Sequence, residues 1–200
     1  MTQLIFATAN QNKADEINAA LNGEFEIITL KQAGINIDIA EPFATLEENA
    51  SEKANVIYRI TNKVCFSEDT GLETEALNGE PGVKSARYAV EEKSFEKNID
   101  LLLTKLAGNT NRNAQFRTII CLISAGKEYK FEGICKGSII AERKGTGGFG
   151  YDAVFVPEGS SKTFAEMTIV EKNQFSHRKK AVEKLISFLT NSTKNKINNK

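Results

Sequence analysis

This 200-residue chain has little of several things, and each shortage excludes a class. It has no excess of charge: 26 Lys and Arg offset 26 Asp and Glu. A general nucleic-acid binder carries a basic surplus, so nucleic acid is not an expected partner and any anion site must be local. Cysteine is scarce, with Cys65, Cys121 and Cys135 the only three. The count is odd, no Cys-x-x-Cys occurs, and all three sit in apolar, strand-like runs. That excludes a disulfide framework and predicts buried free thiols in a reducing cytoplasm. Long apolar runs are also missing. The opening Met1-Thr2-Gln3-Leu4-Ile5-Phe6-Ala7 has no cationic region and too few apolar residues, so it reads neither as a signal peptide nor as a membrane span. Histidine occurs once, as His177.

What is present is an ordinary globular composition, 40% hydrophobic and 26% charged. The length suits one domain or a closely joined pair. A single domain is expected over 1–189, with a polar, disordered tail over 190–200, where Asn and Lys crowd together.

The stretch with the most chemistry is Val64 to Tyr88. A short apolar run, Val64-Cys65-Phe66, breaks into Ser67-Glu68-Asp69-Thr70-Gly71. The run reads as a buried strand that ends in carboxylates, where open α/β sheets bind ligands. Asn78-Gly79 and Pro81-Gly82 set two turns, and Arg87 returns a cation to the two acids. Carboxylates, a hydroxyl and an arginine suit a metal-bound phosphate.

Other segments supply partners. Leu4–Ala7 reads as a first strand, followed by the polar loop Thr8-Ala9-Asn10-Gln11-Asn12-Lys13 and a helix with Ile17, Ala20 and Leu21 on one face. Unpaired amides at such a helix start attract anions. Lys13 opposes the dipole there, and it reads either as a solvated lysine or as a phosphate ligand. Phe25–Leu30 reads as a second strand. Glu41 lies in the following loop. Thr45 and Glu48 form a capping box for a helix to about Thr61, with Lys53 on its flank. Ser94 caps a further helix. Ala114–Ala125 and Glu128–Phe131 read as a hairpin around Gly126-Lys127.

Lys144 to Asp152 contains Gly-x-Gly-x-x-Gly, but the strand-like Ala153–Val156 follows where a dinucleotide fingerprint needs a helix. The loop allows close backbone approach to a ligand, and Phe149 and Tyr151 offer faces for a base. Ser176 reads as the N-cap of a last helix. Lys172, His177 and Arg178 gather at its start, an arrangement that binds an anion.

Seven motifs then occur in order: Thr8-x-Asn10-x-x-Lys13, Glu47-Glu48-Asn49-Ala50 with Lys53-Ala54, Glu68-Asp69-Thr70-Gly71-Leu72, Pro81-Gly82 with Ser85-Ala86-Arg87-Tyr88, Gly147-Gly148-Phe149-Gly150-Tyr151-Asp152, Phe164-Ala165-Glu166 and Ser176-His177-Arg178. In this the chain resembles the inosine triphosphatase-like family of purine nucleoside triphosphate pyrophosphatases, over nearly its whole length to about Leu189. The resemblance implies an α/β fold with an elongated mixed β-sheet flanked by helices, in two lobes around a central nucleotide-binding cleft, and a homodimer. It implies hydrolysis of ITP, dITP or XTP to the monophosphate and pyrophosphate, with Mg²⁺ as cofactor. By position, Asp69 matches the proton acceptor, and Glu41 with Asp69 match the metal ligands. Thr8, Ala9, Asn10, Gln11, Asn12, Lys13, Lys53, Thr70, Phe149, Gly150, Tyr151, Asp152, Lys172, His177 and Arg178 match substrate-binding positions. Two departures stand out. Ala9 replaces a glycine, which would cost energy if the site needs a positive φ. Glu68 replaces a shorter acid next to Asp69, and it could share the base role.

Overall fold

A computed structural model describes residues 2–21, 25–89 and 94–197. Among these described residues, seven strands form one mixed sheet: β1 Thr2–Phe6, β2 Phe25–Thr29, β3 Cys65–Thr74, β4 Pro81–Gly82, β5 Asn113–Ser124, β6 Lys127–Ile139 and β7 Phe155–Pro157. The order is β2-β1-β3-β5-β6-β7, with β4 on β3. Pairing is parallel for β1 with β2 and with β3. It is antiparallel for β4 and β5 on β3, β6 on β5 and β7 on β6. The helices are α1 Gln11–Ala20, α2 Leu46–Thr61, α3 Phe95–Lys105, the single turn α4 Ile169–Lys172, and α5 His177–Ile197.

The caps act where the sequence puts them. The Thr45 hydroxyl accepts the Glu48 amide and donates to the Glu48 carboxylate. Ser94 accepts the Lys97 amide, and Ser176 the Lys179 amide. Each satisfies a donor that a helix start leaves without an intrahelical acceptor. Helix α5 runs past Leu189 to Ile197, through most of the stretch expected as a disordered tail. Lys and Asn are tolerable helix residues, and extending an existing helix adds one hydrogen bond per residue fixed.

Three apolar clusters divide the molecule. On one face of the sheet, Phe6, Phe66, Ile120 and Leu122 pack against Ile17 of α1 and Ala181, Val182 and Leu185 of α5. On the other, Ile5, Cys65, Ile119 and Cys121 pack against Leu46, Ala50, Ala54 and Ile57 of α2. Farther along β3, β5 and β6, Leu72, Phe116 and Ile139 meet Ile99 and Leu102 of α3, with Tyr151, Phe155 and Phe164. The first two clusters make one lobe and the third makes the other. Gly133 lets α5 lie on β6: a Cβ there would run into the His177 carbonyl and the Ala181 amide. All three cysteines are free and buried. Burial pushes the Cys65 and Cys121 thiols up to about 12 and that of Cys135 to about 11, so they are inert at neutral pH. Among the described residues, no helix is long and apolar enough to cross a membrane.

Candidate active site

Strand β3 organises the site, though not as expected. Glu68 and Asp69 lie inside the strand, opposite Ile120 and Ile119 of β5, rather than beyond its end. The apolar run stops at Phe66, but β5 continues to supply backbone partners through Thr74. The strand whose carboxyl end meets the acids is β1. Its pairing with β3 stops at Phe6 opposite Phe66, and the chain then leaves into the Thr8 loop. The acids therefore face the gap that opens where β1 departs.

Successive strand residues point to opposite faces, and that separates the two carboxylates. Asp69 points to the α2 side with Ser67, whose hydroxyl bonds the Ala50 carbonyl. There the Lys53 ammonium donates to Asp69 Oδ1 at 2.9 Å and also to Glu41 Oε1. Glu68 points to the α1 and α5 side. It takes Lys13 Nζ at 2.6 Å and Arg178 Nε at 3.0 Å. Arg178 continues to Glu16, Glu16 to Lys172 Nζ at 2.7 Å, and Lys172 to Asp152 Oδ2 at 2.6 Å. Five carboxylates and four cations thus alternate from Glu41 to Asp152 in two short chains.

Proton affinities diverge along these chains. Burial alone would raise Glu68, but the Arg178 and Lys13 charges overcome it and hold the carboxyl well below the usual range. Glu16 is likewise lowered, by Arg178 and Lys172 against burial. Asp69 moves up. Burial is the largest cause and Glu41 adds to it, and the opposing Lys53 and Lys13 do not offset them. Asp152 is also raised, by burial and by Glu16. His177 is pushed well below its ordinary value by burial and by the Arg178 and Lys172 charges, so its imidazole is neutral.

The glycine-rich loop is folded around Asp152. Gly148 has φ of 71°, and a Cβ on it would strike the Asp152 carboxylate. That close approach lets the Phe149 amide donate to Asp152 Oδ2 at 2.9 Å. Of the two aromatic faces expected for a base, Phe149 is partly exposed, with Lys172 Nζ 5.4 Å and Arg178 Cζ 5.7 Å from its ring centre. Tyr151 does not offer a face. It is buried in the core of the α3 lobe, and its hydroxyl donates to the Ser85 carbonyl. His177 stacks on Phe116 at 4.7 Å, and its buried Nδ1 has no hydrogen-bond partner.

The cleft between the lobes has a volume of about 410 Å³. Of the expected site residues, Thr8, Ala9, Asn10, Lys13, Glu41, Lys53, Asp69, Thr70, Phe149, Gly150, Tyr151, Asp152, Lys172, His177 and Arg178 line it. Gln11 and Asn12 do not. They open α1 with exposed side chains, and Gln11 bonds Asp15. A residue-by-residue loop match cannot see that the chain has already turned into a helix there. Ala9 is not among the described residues with positive φ, so the feared strain is absent. Asp38, Ser85, Arg87 and Phe95 also face the cleft. Glu16 was missed. Its signal was an acid on the same face of α1 as Ala14, Ile17 and Ala20, where only a buried partner makes sense.

Among the described residues, no group of three or more potential metal ligands occurs. Glu41 and Asp69 nonetheless converge on one cation, the Lys53 ammonium. Two hard carboxylates completed by substrate phosphates are what Mg²⁺ takes, so the donor set fits that ion.

Fold and cleft together define a two-lobed α/β protein whose central cleft is lined by paired cations and acids. Residues 4–188 match the model of the Ham1 family, and the chain belongs to that family. It is 48% identical over 189 residues to the dITP/XTP pyrophosphatase of Flavobacterium psychrophilum, covering 94% of this chain and 100% of that one. It is 47% identical over 190 residues to the dITP/XTP pyrophosphatase of Porphyromonas gingivalis, covering 94% and 98%. The solved Ham1 protein of Staphylococcus aureus superimposes with a TM-score of 0.86 at 36% identity, over 96% of this chain and 100% of that chain.

Proposed function

We propose that this protein hydrolyses deaminated purine nucleoside triphosphates (dITP, ITP and XTP) to the monophosphate and pyrophosphate, and so clears them from the nucleotide pool. The observation that carries the reading is the split on β3. One acid, Glu68, is locked to two cations, while its neighbour Asp69 is buried with raised proton affinity beside Lys53. Relatives bearing the dITP/XTP pyrophosphatase name at 48% and 47% identity support the substrate class.

In this reading Asp69 holds the attacking water and accepts its proton. A base works best when its proton affinity approaches the working pH, and Asp69 is shifted in that direction. Glu68 is shifted the other way and serves to position Lys13 and Arg178. Water oxygen bonds to the α-phosphorus, the bond from that phosphorus to the bridging oxygen breaks, and pyrophosphate leaves in one piece. Lys13 and the amides of the Thr8–Lys13 segment balance the charge that gathers on the leaving group. Glu41 and Asp69 would hold Mg²⁺, which when bound polarises phosphoryl oxygens and neutralises their charge. Thr70 contacts substrate on the Arg178 side of the strand.

The base lies against Phe149, with Lys172, Arg178 and His177 around it. A 6-oxo purine presents an acceptor where adenine presents a donor. A site of fixed donors rejects the wrong partner by ~10⁴ or more when its buried groups are left unpaired. Mg²⁺ dependence, a homodimer and a cytoplasmic location complete the proposal. The buried free thiols support a reducing compartment, and the family resemblance supports the dimer.

The test is pyrophosphate release by the purified protein with Mg²⁺ on dITP, XTP, dGTP and dATP, beside Asp69→Asn. Rapid release from dITP and XTP only, reduced at least ~10²-fold in the variant, is expected. Equal rates on all four would discard the specificity. Near-normal turnover in Asp69→Asn would discard the base. Binding of dITP without release would replace the enzyme with a nucleotide sensor.

A further inference from the structure

Lys53 sits in an unusual place for a substrate-binding lysine. Its ammonium is buried between the two carboxylates that suit a divalent cation, bonded to Glu41 Oε1 and to Asp69 Oδ1. Each of the other cleft lysines is held by acids outside this pair: Lys13 by Glu68, and Lys172 by Glu16 and Asp152. Lys53 reaches the pair from the interior of α2, eight residues past the Thr45 cap, on a rigid element that packs through Ala50, Ala54 and Ile57. Its backbone cannot withdraw without moving that helix, so only the side chain can move.

We propose that Lys53 competes with the divalent cation for Glu41 and Asp69, so that the protein takes up the metal together with a triphosphate rather than before it. The inference rests on the pyrophosphohydrolase reading, since it takes these two acids as the metal pair. A cation entering between Glu41 and Asp69 meets the Lys53 charge at contact distance, and two positive charges there repel strongly in a buried site. Two carboxylates also leave most of an octahedral Mg²⁺ shell to water and phosphate. An incoming triphosphate answers both demands. It offers oxygens to the metal and a negative charge that draws the Lys53 ammonium off the carboxylates. Lys53 thereby couples the two ligands: it opposes the metal alone and favours metal and nucleotide together.

The test measures Mn²⁺ binding by electron paramagnetic resonance, with no nucleotide present, in the intact protein and in Lys53→Met and Lys53→Gln. The intact protein is expected to bind weakly, roughly millimolar or worse. Both variants are expected to bind at least about tenfold more tightly, on the scale by which neighbouring residues tune metal affinity. Adding Asp69→Asn to either should abolish the gain. Gln keeps hydrogen-bond donors near the acids, which guards against a misfolded Met variant, and a thermal melt checks both. Micromolar Mn²⁺ binding to the intact protein, lost in Asp69→Asn, overturns the inference whether or not the variants fold. Unchanged affinity in folded variants overturns it too. Pyrophosphate release from dITP by the intact protein, measured in parallel, separates the two readings. If release occurs while Mn²⁺ affinity ignores Lys53, only the competition fails. If the variants gain affinity but no triphosphate is cleaved, the competition stands and the proposed reaction fails.

Discussion

Glu68 and Asp69 are adjacent, alike in charge and both buried, yet their proton affinities move in opposite directions. The difference comes from strand alternation, which gives one acid two cations on the α5 side and the other a shared lysine on the α2 side. Glu16 extends the same logic. It holds both Lys172 and Arg178 while almost fully buried. Removing one partner from a buried charge network typically costs 3–5 kcal/mol. Arg178 would keep Glu68 and Lys172 would keep Asp152, so Glu16→Ala is expected at the low end, about 3 kcal/mol by urea unfolding. A loss under ~1 kcal/mol, the scale of an exposed pair, would mean the network is surface-like. His177 gives the pH dependence. Its folded proton affinity is depressed below 6.5. The unfolded chain then binds the extra proton as pH falls through 6.5, so stability is full above that value and declines below it, by at most about 1.4 kcal/mol per pH unit. Raised Asp69 and Asp152 act in the opposite sense, and lowered Glu68 and Glu16 add losses only in the carboxylate range. Comparing thermal melts of His177→Gln with the parent between pH 7.5 and 5.5 isolates the imidazole, and the variant is expected to show the flatter slope. Most of these residues were legible, because charged side chains at a helix start or beside a strand break a local rule. Glu16 was not, because the two cations that justify it lie more than 150 residues away, at positions 172 and 178.

At the scale of elements, local signals were the reliable ones. Helix α2 begins one residue after Thr45 and ends at Thr61, as its cap and apolar stripe dictate. The β5–β6 hairpin turns at Ala125 and Gly126, both at positive φ, one residue earlier than the expected Gly126-Lys127. The length of β3 was not legible, since it depends on pairing with β5 some fifty residues later. Nor was the buried fate of Tyr151, which depends on Ser85 from a different turn. The glycine loop offers a clean test of element against residue. Gly148 and Gly150 both have positive φ, so alanine strains either by about 1–2 kcal/mol. Only at Gly148 would the added carbon displace the Asp152 carboxylate, while Gly150 has open space. Gly148→Ala is therefore expected to weaken dITP binding at least about tenfold more than Gly150→Ala, the equivalent of one lost hydrogen bond of ~1.4 kcal/mol. Equal losses in a calorimetric titration would show that strain alone governs the loop and that the grip on Asp152 is irrelevant.

For the whole molecule, the informative fact is where the charges come from. Lys13 and Glu16 stand on α1, Glu41 on a loop, Lys53 on α2, Glu68 and Asp69 on β3, Asp152 on the glycine loop, Lys172 on α4 and Arg178 on α5. Four of the five helices, strand β3 and two loops thus supply charged groups to one network at the cleft, with Glu16 joined to it through Arg178 and Lys172, and the two lobes carry different members. A ligand that fills this cleft binds only the folded chain, because unfolding scatters the lining groups, from Lys13 to Arg178, over more than 160 residues of sequence. Binding of this kind stabilises by mass action, about 2.7 kcal/mol at a hundred times Kd. For a chain of this size that corresponds to roughly 5–10 °C in Tm. A dITP analogue with an imido bridge between the α- and β-phosphorus, which cannot release pyrophosphate, should therefore raise Tm by that amount with Mg²⁺ present. The adenine analogue at the same concentration should leave Tm nearly unchanged, since its 6-amino group leaves the site's donors unpaired. Equal shifts for both would mean that the triphosphate alone holds the lobes together and that choice of base is exercised only in the reaction step.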